Sequence, residues 1–133
     1  MITLVIGPPC GGKTTYVSEH AQPGDVVIDF DAIARELGSP DEWRHGEPYW
    51  SQAYAETEAR IAAISTEETA WVIRCAPDLR QRAELTAWLA AEVVVCDPGE
   101  ATCLARARTR PSGTRRAIRM WYWRQRRSGL GSG

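Results

Sequence analysis

The sequence has 133 residues, of which 44% are hydrophobic and 25% charged, and a formal net charge of −1. This size and composition fit one globular domain and exclude a disordered or fibrous chain. No apolar run approaches the roughly 18 residues that a membrane-spanning helix needs. No targeting signal precedes the first apolar run, and the four cysteines lack CxxC spacing. We therefore expect a reduced, cytoplasmic protein with no membrane partner, while the composition leaves its oligomeric state open.

Apolar runs separated by turn residues predict alternating strands and helices along the chain. Strands are predicted over residues 3–6, 26–28, 71–73 and 93–95. Helices are predicted over residues 13–20, 31–37, 51–64, 100–109 and 114–127, and a further helix begins at Asp78 and carries Leu85, Trp88 and Leu89 on one face. Residues 39–49 are predicted to be irregular, and residues 128–133 to form a frayed tail.

The alternation of strands and helices predicts the fold class. Since each strand is a continuous apolar run, we expect a parallel sheet of about four strands with helices on both faces. This arrangement is a three-layer α/β fold, in which residues 1–133 are predicted to form a single domain.

A phosphate-binding motif lies between the first predicted strand and the first predicted helix. Residues 7–14 read GPPCGGKT and match G-x-x-x-x-G-K-[ST] at every fixed position. The backbone N–H groups of such a loop surround phosphates, with Lys13 on the β and γ phosphates and Thr14 on Mg²⁺. Lys13 is also the only lysine of the chain. The motif predicts ATP and Mg²⁺ as cofactors, and ATP contacts at Gly7, Pro8, Pro9, Cys10, Gly11, Gly12, Lys13, Thr14 and Thr15.

Two carboxylates, Asp29 and Asp31, follow the second predicted strand. Ligands bind at the carboxyl edge of an open parallel sheet, so both carboxylates should face the phosphate-binding loop. We predict that Asp31 is the general base that accepts a proton from an acceptor hydroxyl, and that Asp29 orients Mg²⁺ through water. The alternative for Asp31 is a plain N-cap of the helix that follows.

Arginines provide the next candidates. The third strand ends at Arg74, where switch-type NTPases and motor ATPases carry an acid. Arg74 lies at the same sheet edge as the two carboxylates and is a candidate for binding a phosphate of the acceptor substrate, with a structural role as the alternative. Arg106 and Arg110 are four residues apart on one helix face, and Arg108 points elsewhere. A Pro-Ser-Gly hinge follows at residues 111–113, so residues 100–113 are predicted to form an arginine lid over the transferring phosphoryl group. Ordinary surface charge is the alternative for this pair.

Aromatic and basic residues cluster in two further places. Trp43, Tyr49 and Trp50 lie near Arg44 and His45, and such rings stack bases or anchor an irregular segment. Residues 101–133 hold nine arginines and no acid, whereas residues 1–100 carry a net charge of −10. The basic part is expected to contact phosphates or to pair with the acidic part. Within it, Ile118 and Trp121 are predicted core residues, and Tyr122 or Trp123 is a candidate for stacking on adenine.

These motifs carry a family resemblance. The chain resembles the small P-loop kinases of the AAA-type ATPase and kinase group, most closely the kinase domain of phage polynucleotide 5′-kinases, over nearly its whole length. The resemblance rests on the phosphate-binding loop, the aspartate after strand two, the R-x-x-x-R lid and the closing helix around residues 118–122. It implies a P-loop NTPase fold and catalytic roles for Lys13, Asp31, Arg106 and Arg110. That family has an arginine three residues after the aspartate, where this chain has Ala34, and Arg35 is the neighbouring candidate for binding substrate.

The leading hypothesis is an ATP- and Mg²⁺-dependent phosphotransferase whose acceptor is the 5′-OH of a nucleic acid. One alternative is a kinase of a nucleoside, nucleotide or other small molecule, and another is a nucleotide-binding regulatory ATPase module. Residues 39–65 are the predicted acceptor-binding segment. An open channel there favours a polynucleotide, whereas a closed pocket favours a small molecule.

Overall fold

The computed structural model describes the backbone of residues 1–132 and the side chains of residues 1–127. Strands and helices alternate along most of the chain, and two helices follow one another after the second strand and again at the end. The elements are β1 (Ile2–Ile6), α1 (Lys13–His20), β2 (Val26–Ile28), α2 (Phe30–Glu36), α3 (Tyr49–Ala62), β3 (Ala70–Arg74), α4 (Leu79–Leu89), β4 (Glu92–Val95), α5 (Glu100–Arg106) and α6 (Thr114–Ser132). A 3₁₀ turn over Ala107–Thr109 continues α5.

The four strands form one parallel sheet in the order β2-β3-β1-β4. Ile6 at the end of β1 is in register with Arg74 of β3 and Val95 of β4, so the carboxyl ends of these strands share one edge. Helices pack on both faces, which confirms the predicted three-layer α/β P-loop fold. Because every strand ends at this edge, the loops that follow the strands lie together there, where ligands bind in open parallel sheets.

The core is divided by the sheet. On one face Leu4 and Ile6 pack with Ile33 of α2 and Ile118 of α6, within a large buried cluster. On the other face Val5 and Ile73 pack against Val17 of α1. The expectation that every strand is covered is wrong for β4, where Val93 and Val95 remain 40% and 49% exposed. β4 is an edge strand with a neighbour on one side only.

Several element boundaries differ from the predicted ones. α2 begins at Phe30, one residue early, and α3 at Tyr49, two residues early. α6 continues to Ser132, so the expected frayed tail is helical as far as that residue, and Gly133 lies outside the described residues. In α4 the capping interaction of Asp78 with the Gln81 N–H is present, but Trp88 is 63% exposed while Leu89 is buried. Within the described part of the chain, no helix is long and apolar enough to cross a bilayer.

Candidate active site

The phosphate-binding loop requires glycine for two different reasons. A Cβ on Gly7 would lie 2.3 Å from the Cys96 carbonyl oxygen, because the loop packs directly against the backbone that follows β4. Gly12 has a φ of 91°, in the left-handed region, and is the N-cap residue of α1. The loop therefore turns tightly beside the edge of the sheet, where the Gly11 N–H donates to the Pro8 carbonyl oxygen at 3.0 Å, and it enters α1 at Gly12.

Lys13 lies across this loop. Its Nζ donates hydrogen bonds to the carbonyl oxygens of Gly7 and Pro8, at 2.9 and 2.7 Å, and is 3.6 Å from Cys75 Sγ. Thr14 and Thr15 are exposed in the first turn of α1, where helix N–H groups lack intrahelical partners. A glycine-rich loop packed at the sheet edge, a helix N-terminus and an ammonium group together fit the phosphates of a nucleoside triphosphate.

A cleft of about 710 Å³ opens in front of the loop. The loop and the first turn of α1 form one wall, and the ends of β2 and β3 with α3 form another. The hinge at residues 111–113 and the first turn of α6 close the third side. Among the residues predicted from the sequence, the cleft is lined by Pro9, Cys10, Gly11, Gly12, Lys13, Thr14, Thr15, Asp29, Asp31, Arg74 and Arg110.

Asp31 is held in this cleft by a buried histidine. Asp31 Oδ1 lies 2.9 Å from His45 Nε2, and His45 Nδ1 lies 2.7 Å from Ser39 Oγ. The His45 side chain is 1% exposed. A carboxylate carries no proton, so Nε2–H donates to Asp31, and in a neutral imidazole Nδ1 accepts from the Ser39 hydroxyl. In the sequence His45 is grouped only with the aromatic segment, and no local signal predicts its contact with Asp31.

Burial raises the pKa of the Asp31 carboxyl above its ordinary value, and the hydrogen bond from His45 opposes that shift. Asp31 Oδ2 accepts no hydrogen bond from the side chains and backbone that the structure describes. One carboxylate oxygen is therefore fixed, and the other is free to accept a proton in the cleft.

Asp29, and not Asp31, is the N-cap of α2. Its Oδ1 accepts a hydrogen bond of 3.2 Å from the Asp31 backbone N–H. The alternative that Asp31 is a plain cap is therefore wrong, and its carboxylate is available for another role. Asp29 also lines the cleft that the phosphate-binding loop lines.

The residues around Thr14 also fit Mg²⁺. Within residues 1–127, no group of three or more His, Cys, Asp or Glu side chains is positioned to bind a metal ion. Mg²⁺ in phosphate-transfer sites keeps several waters and uses one or two protein oxygens together with substrate phosphates, so it needs no such group. The Thr14 hydroxyl and the Asp29 carboxylate, which line the same cleft, supply that donor set.

The two lid arginines both lie at the phosphate-binding loop. Arg106 Nη1 donates to the Cys10 carbonyl oxygen at 3.1 Å, and the Arg110 guanidinium is 3.7 Å from the centre of the Trp43 ring. Both line a second cavity, of about 440 Å³, which also includes the loop and Pro98. Arg108, predicted to point elsewhere, lines neither cavity.

The irregular segment before α3 is tied to the lid hinge. Arg44 Nη2 donates to the backbone carbonyl of Ser112 and, at 3.1 Å, to its hydroxyl oxygen. Together with the stacking of Arg110 on Trp43, this contact joins residues 43–44 to residues 110–112 across the cleft. Tyr49 lines neither cavity, and its ring packs beside Gly38, 3.4 Å from where a Cβ on that residue would lie.

Aromatic rings line the acceptor side of the cleft. Trp50 and Tyr54 are stacked, with ring centres 5.5 Å apart and an interplanar angle of 12°, and Phe30 lies 6.0 Å from Trp50. Trp50 and Tyr54 are 48% and 50% exposed. These rings are therefore accessible from solvent, and this side of the cleft is open.

The two remaining arginine candidates, Arg74 and Arg35, differ in whether they line the cleft. Arg74 lines the cleft and forms an ion pair of 2.9 Å with Glu58 of α3. Arg35 lines neither cavity, and its Nη1 donates to the Glu42 carbonyl oxygen at 3.1 Å. We therefore assign Arg35 to holding the irregular segment, in place of the predicted substrate contact.

The adenine-stacking candidates of α6 are not positioned as expected. Tyr122 is buried, and its hydroxyl donates to Asp97 Oδ1. Trp123 is exposed, carries the Arg127 guanidinium 4.8 Å from its ring centre, and lines neither cavity. Ile118 and Trp121 are buried, as predicted, and Trp121 Nε1 donates to the Cys75 carbonyl oxygen at 2.6 Å.

Comparison with known proteins yields a family for the chain. A family model described as an AAA domain matches residues 2–120, which is most of the chain. The family includes kinases and nucleotide-binding ATPases of the P-loop type. No curated protein matched the chain.

Proposed function

Because the chain belongs to this family of AAA domains, we propose that it is an ATP- and Mg²⁺-dependent phosphotransferase that phosphorylates the 5′-OH of a polynucleotide. The observation that carries the proposal is Asp31, whose carboxylate is fixed by His45 at the end of β2 and lines the same cleft as Lys13 and Thr14. A regulatory nucleotide-binding module needs no such base.

The donor side follows from the loop. Pro8 and Pro9 have no N–H, so the N–H groups at the start of α1, from Gly12 to Thr14, and the Lys13 ammonium would bind the phosphates of ATP. Thr14 and Asp29 would hold Mg²⁺ directly or through water. When bound, Mg²⁺ supplies positive charge that neutralises the phosphate oxygens during transfer. The Lys13 ammonium donates to the carbonyl oxygens of Gly7 and Pro8, which belong to the phosphate-binding loop itself. It would therefore reach the phosphates bound in that loop by a rotation of its own side chain.

The acceptor side depends on Asp31. Its Oδ2 would accept the proton of the acceptor hydroxyl while the hydroxyl oxygen forms a bond to the γ-phosphorus and the bond to the β-phosphate oxygen breaks, releasing ADP. A carboxylate whose pKa is raised by burial is a better proton acceptor than an ordinary one. Arg106 and Arg110 would approach the transferring group from the lid side.

The open aromatic wall supports a polynucleotide over a small molecule. Trp50 and Tyr54 present about half of their surface to solvent, so a base can stack on them without being enclosed. Trp43 lies at the opposite rim of the cleft, beside the lid. A strand whose 5′ end enters between these rings remains free to extend outward.

The test is transfer of labelled γ-phosphate from ATP, with Mg²⁺, to a panel of acceptors. The panel contains a 5′-OH oligonucleotide, the same strand with a 5′-phosphate, free nucleosides and nucleotides, and water alone. Label on the 5′-OH strand alone, lost in Lys13→Ala and Asp31→Asn, is the expected result. Label on a nucleoside or nucleotide alone would move the acceptor to a small molecule, and ATP binding without transfer to any hydroxyl would overturn the proposal.

A further inference from the structure

The outer face of α6 carries a strip of arginines that the active site does not use. Ile118, Trp121 and Tyr122 bury one face of the helix. Residues on the opposite face repeat at helical spacing and are exposed. We call this set the α6 strip, and it consists of Arg116, Arg119, Trp123, Arg124 and Arg127.

Among the side chains that the structure describes, the arginines of the α6 strip form no ion pair. Within residues 1–127, the ion pair that α6 makes is that of Arg126 with Glu100, at 3.2 Å, and Arg126 is outside the strip. No acidic residue follows Glu100 in the chain. The expectation that the basic part pairs with the acidic part is therefore met at one position, while four arginines of the strip face solvent.

The strip also exposes a large aromatic ring. Trp123 is 45% exposed and has Arg127 stacked on it. An aromatic face beside arginines is the combination with which proteins bind single strands, because rings stack on bases and guanidinium groups bind phosphates. Arg116 and Arg127 are eleven residues apart, about 17 Å along the helix axis, a length over which a strand presents several phosphates.

The strip begins at the mouth of the active-site cleft. Thr114 and Ala117, in the first turn of α6, line that cleft together with Ser112 and Gly113 of the hinge. Arg116 lies in the same turn, on the exposed side. The cleft and the strip are therefore adjacent at the first turn of α6.

We propose that the α6 strip binds the backbone of a single-stranded polynucleotide several nucleotides from the 5′ end that occupies the cleft. The inference rests on the proposed function for the position of that 5′ end, but the binding itself requires no phosphoryl transfer. An anionic membrane is less suited to the strip, because its apolar surface is limited to Trp123 and the adjacent Met120.

The experiment measures binding of the full chain to 3′-labelled poly(dT) strands of two and sixteen nucleotides by fluorescence anisotropy. The test variant is Arg116→Gln/Arg127→Gln. The matched control is Arg80→Gln/Arg108→Gln, which removes the same charge at exposed positions outside both cavities and outside the strip. Thermal unfolding and ATP binding are measured for both variants.

We expect the test variant to bind the long strand at least ten-fold more weakly and the short strand as the parent does. The slope of log affinity against log salt should fall by roughly 1.4, about 0.7 for each lost phosphate contact on a single strand. The control should stay within two-fold of the parent. Equal behaviour of test variant and control would overturn the inference, as would a loss confined to binding of vesicles that contain anionic lipid.

The same variants separate this inference from the proposed function. If the parent phosphorylates neither strand, yet binds the long one through the strip, the proposed kinase function fails and the strip remains a polynucleotide surface. If the parent phosphorylates both strands, and the test variant keeps the parent's kcat/KM on the long one, the strip is not such a surface and the kinase function remains.

Discussion

His45 Nε2 lies 2.9 Å from Asp31 Oδ1, so a buried imidazole from the irregular segment fixes the carboxylate at the end of β2. The imidazole is itself held by Ser39, 2.7 Å from its other nitrogen. We expect His45 to act as a positioning residue that directs the free oxygen of Asp31 toward the acceptor. It does not line the cleft and would not touch the substrate.

Replacement of His45 tests this relationship. His45→Ala should lower kcat by roughly ten- to a hundred-fold, part of the about 10²–10⁴ that a general base contributes, with KM for ATP unchanged. It should also cost about 1–3 kcal/mol of stability by leaving Ser39 and Asp31 without their partner. His45→Gln, whose amide N–H still donates, should recover part of kcat. Equal kcat in both variants, with folding intact, would contradict the positioning role.

Asp31→Asn should stabilise the protein at neutral pH while abolishing transfer. Because burial raises the pKa of Asp31 in the folded state, the folded protein binds more protons than the unfolded chain, and stability falls as pH rises through that range. Asparagine retains the acceptor for His45 and removes the charge of a carboxylate that is only partly buried, with 37% of its side chain exposed. The Tm of the variant should exceed that of the parent at neutral pH and converge with it toward pH ~4, near the ordinary carboxyl pKa. A lower Tm at neutral pH would contradict the argument.

The two lid arginines, Arg106 and Arg110, can be tested against Arg108, which lies between them in the chain. Arg106→Ala and Arg110→Ala should each lower kcat steeply, by up to about 10³–10⁵ if they stabilise transition-state charge as arginine fingers do. Arg108→Ala removes the same charge from a residue that lines neither cavity, and should leave turnover within a few-fold of the parent. Single-turnover transfer to the best acceptor is the measurement. Similar effects at all three positions would indicate general surface charge.

The stacked rings of α3 predict how acceptor affinity is distributed. Trp50→Ala should raise the KM for an oligonucleotide by about 5- to 150-fold, since stacking of one base contributes roughly 1–3 kcal/mol. Trp88→Ala removes a somewhat more exposed ring from α4, outside the cleft, and is the control. The KM for ATP should remain unchanged in both. An unchanged acceptor KM in Trp50→Ala would remove α3 from the acceptor site.

The sequence predicted those parts of the site that depend on local signals. The phosphate-binding loop, α1 and β2 depend on a contiguous motif, apolar runs and turn residues, and the limits of α1 and β2 agree with the prediction. The loop, α1 and β2 therefore need no knowledge of residues distant in the chain. The prediction that Arg106 and Arg110 share a helix face is wrong, because α5 ends at Arg106 and Arg110 lies in extended backbone after the 3₁₀ turn.

The missed features depend on long-range contacts without a periodic pattern. His45 contacts Asp31 from an irregular segment fourteen residues away, and Arg44 reaches Ser112, sixty-eight residues away. The sequence suggested only Asp31 as a cap of α2, but Asp29, two residues earlier, is an equally good N-cap residue and holds that position. Trp88 was assigned to a buried face because its spacing from Leu85 is helical, but α4 leaves it in solvent.

The contacts of Trp43 and Arg44 with the lid bear on how ATP is protected from water. Arg110 rests on the Trp43 ring, and a base that occupied that ring would displace it toward the phosphates. Arrival of the acceptor would then complete the catalytic machinery. A water molecule does not stack on the Trp43 ring and so does not displace Arg110 from it. We therefore expect slow ATP hydrolysis by the parent without acceptor. Hydrolysis should be several-fold faster in Trp43→Ala, measured as phosphate release. In this protein, suppression of ATP hydrolysis without acceptor would depend on one indole ring, Trp43, which holds Arg110 away from the phosphates.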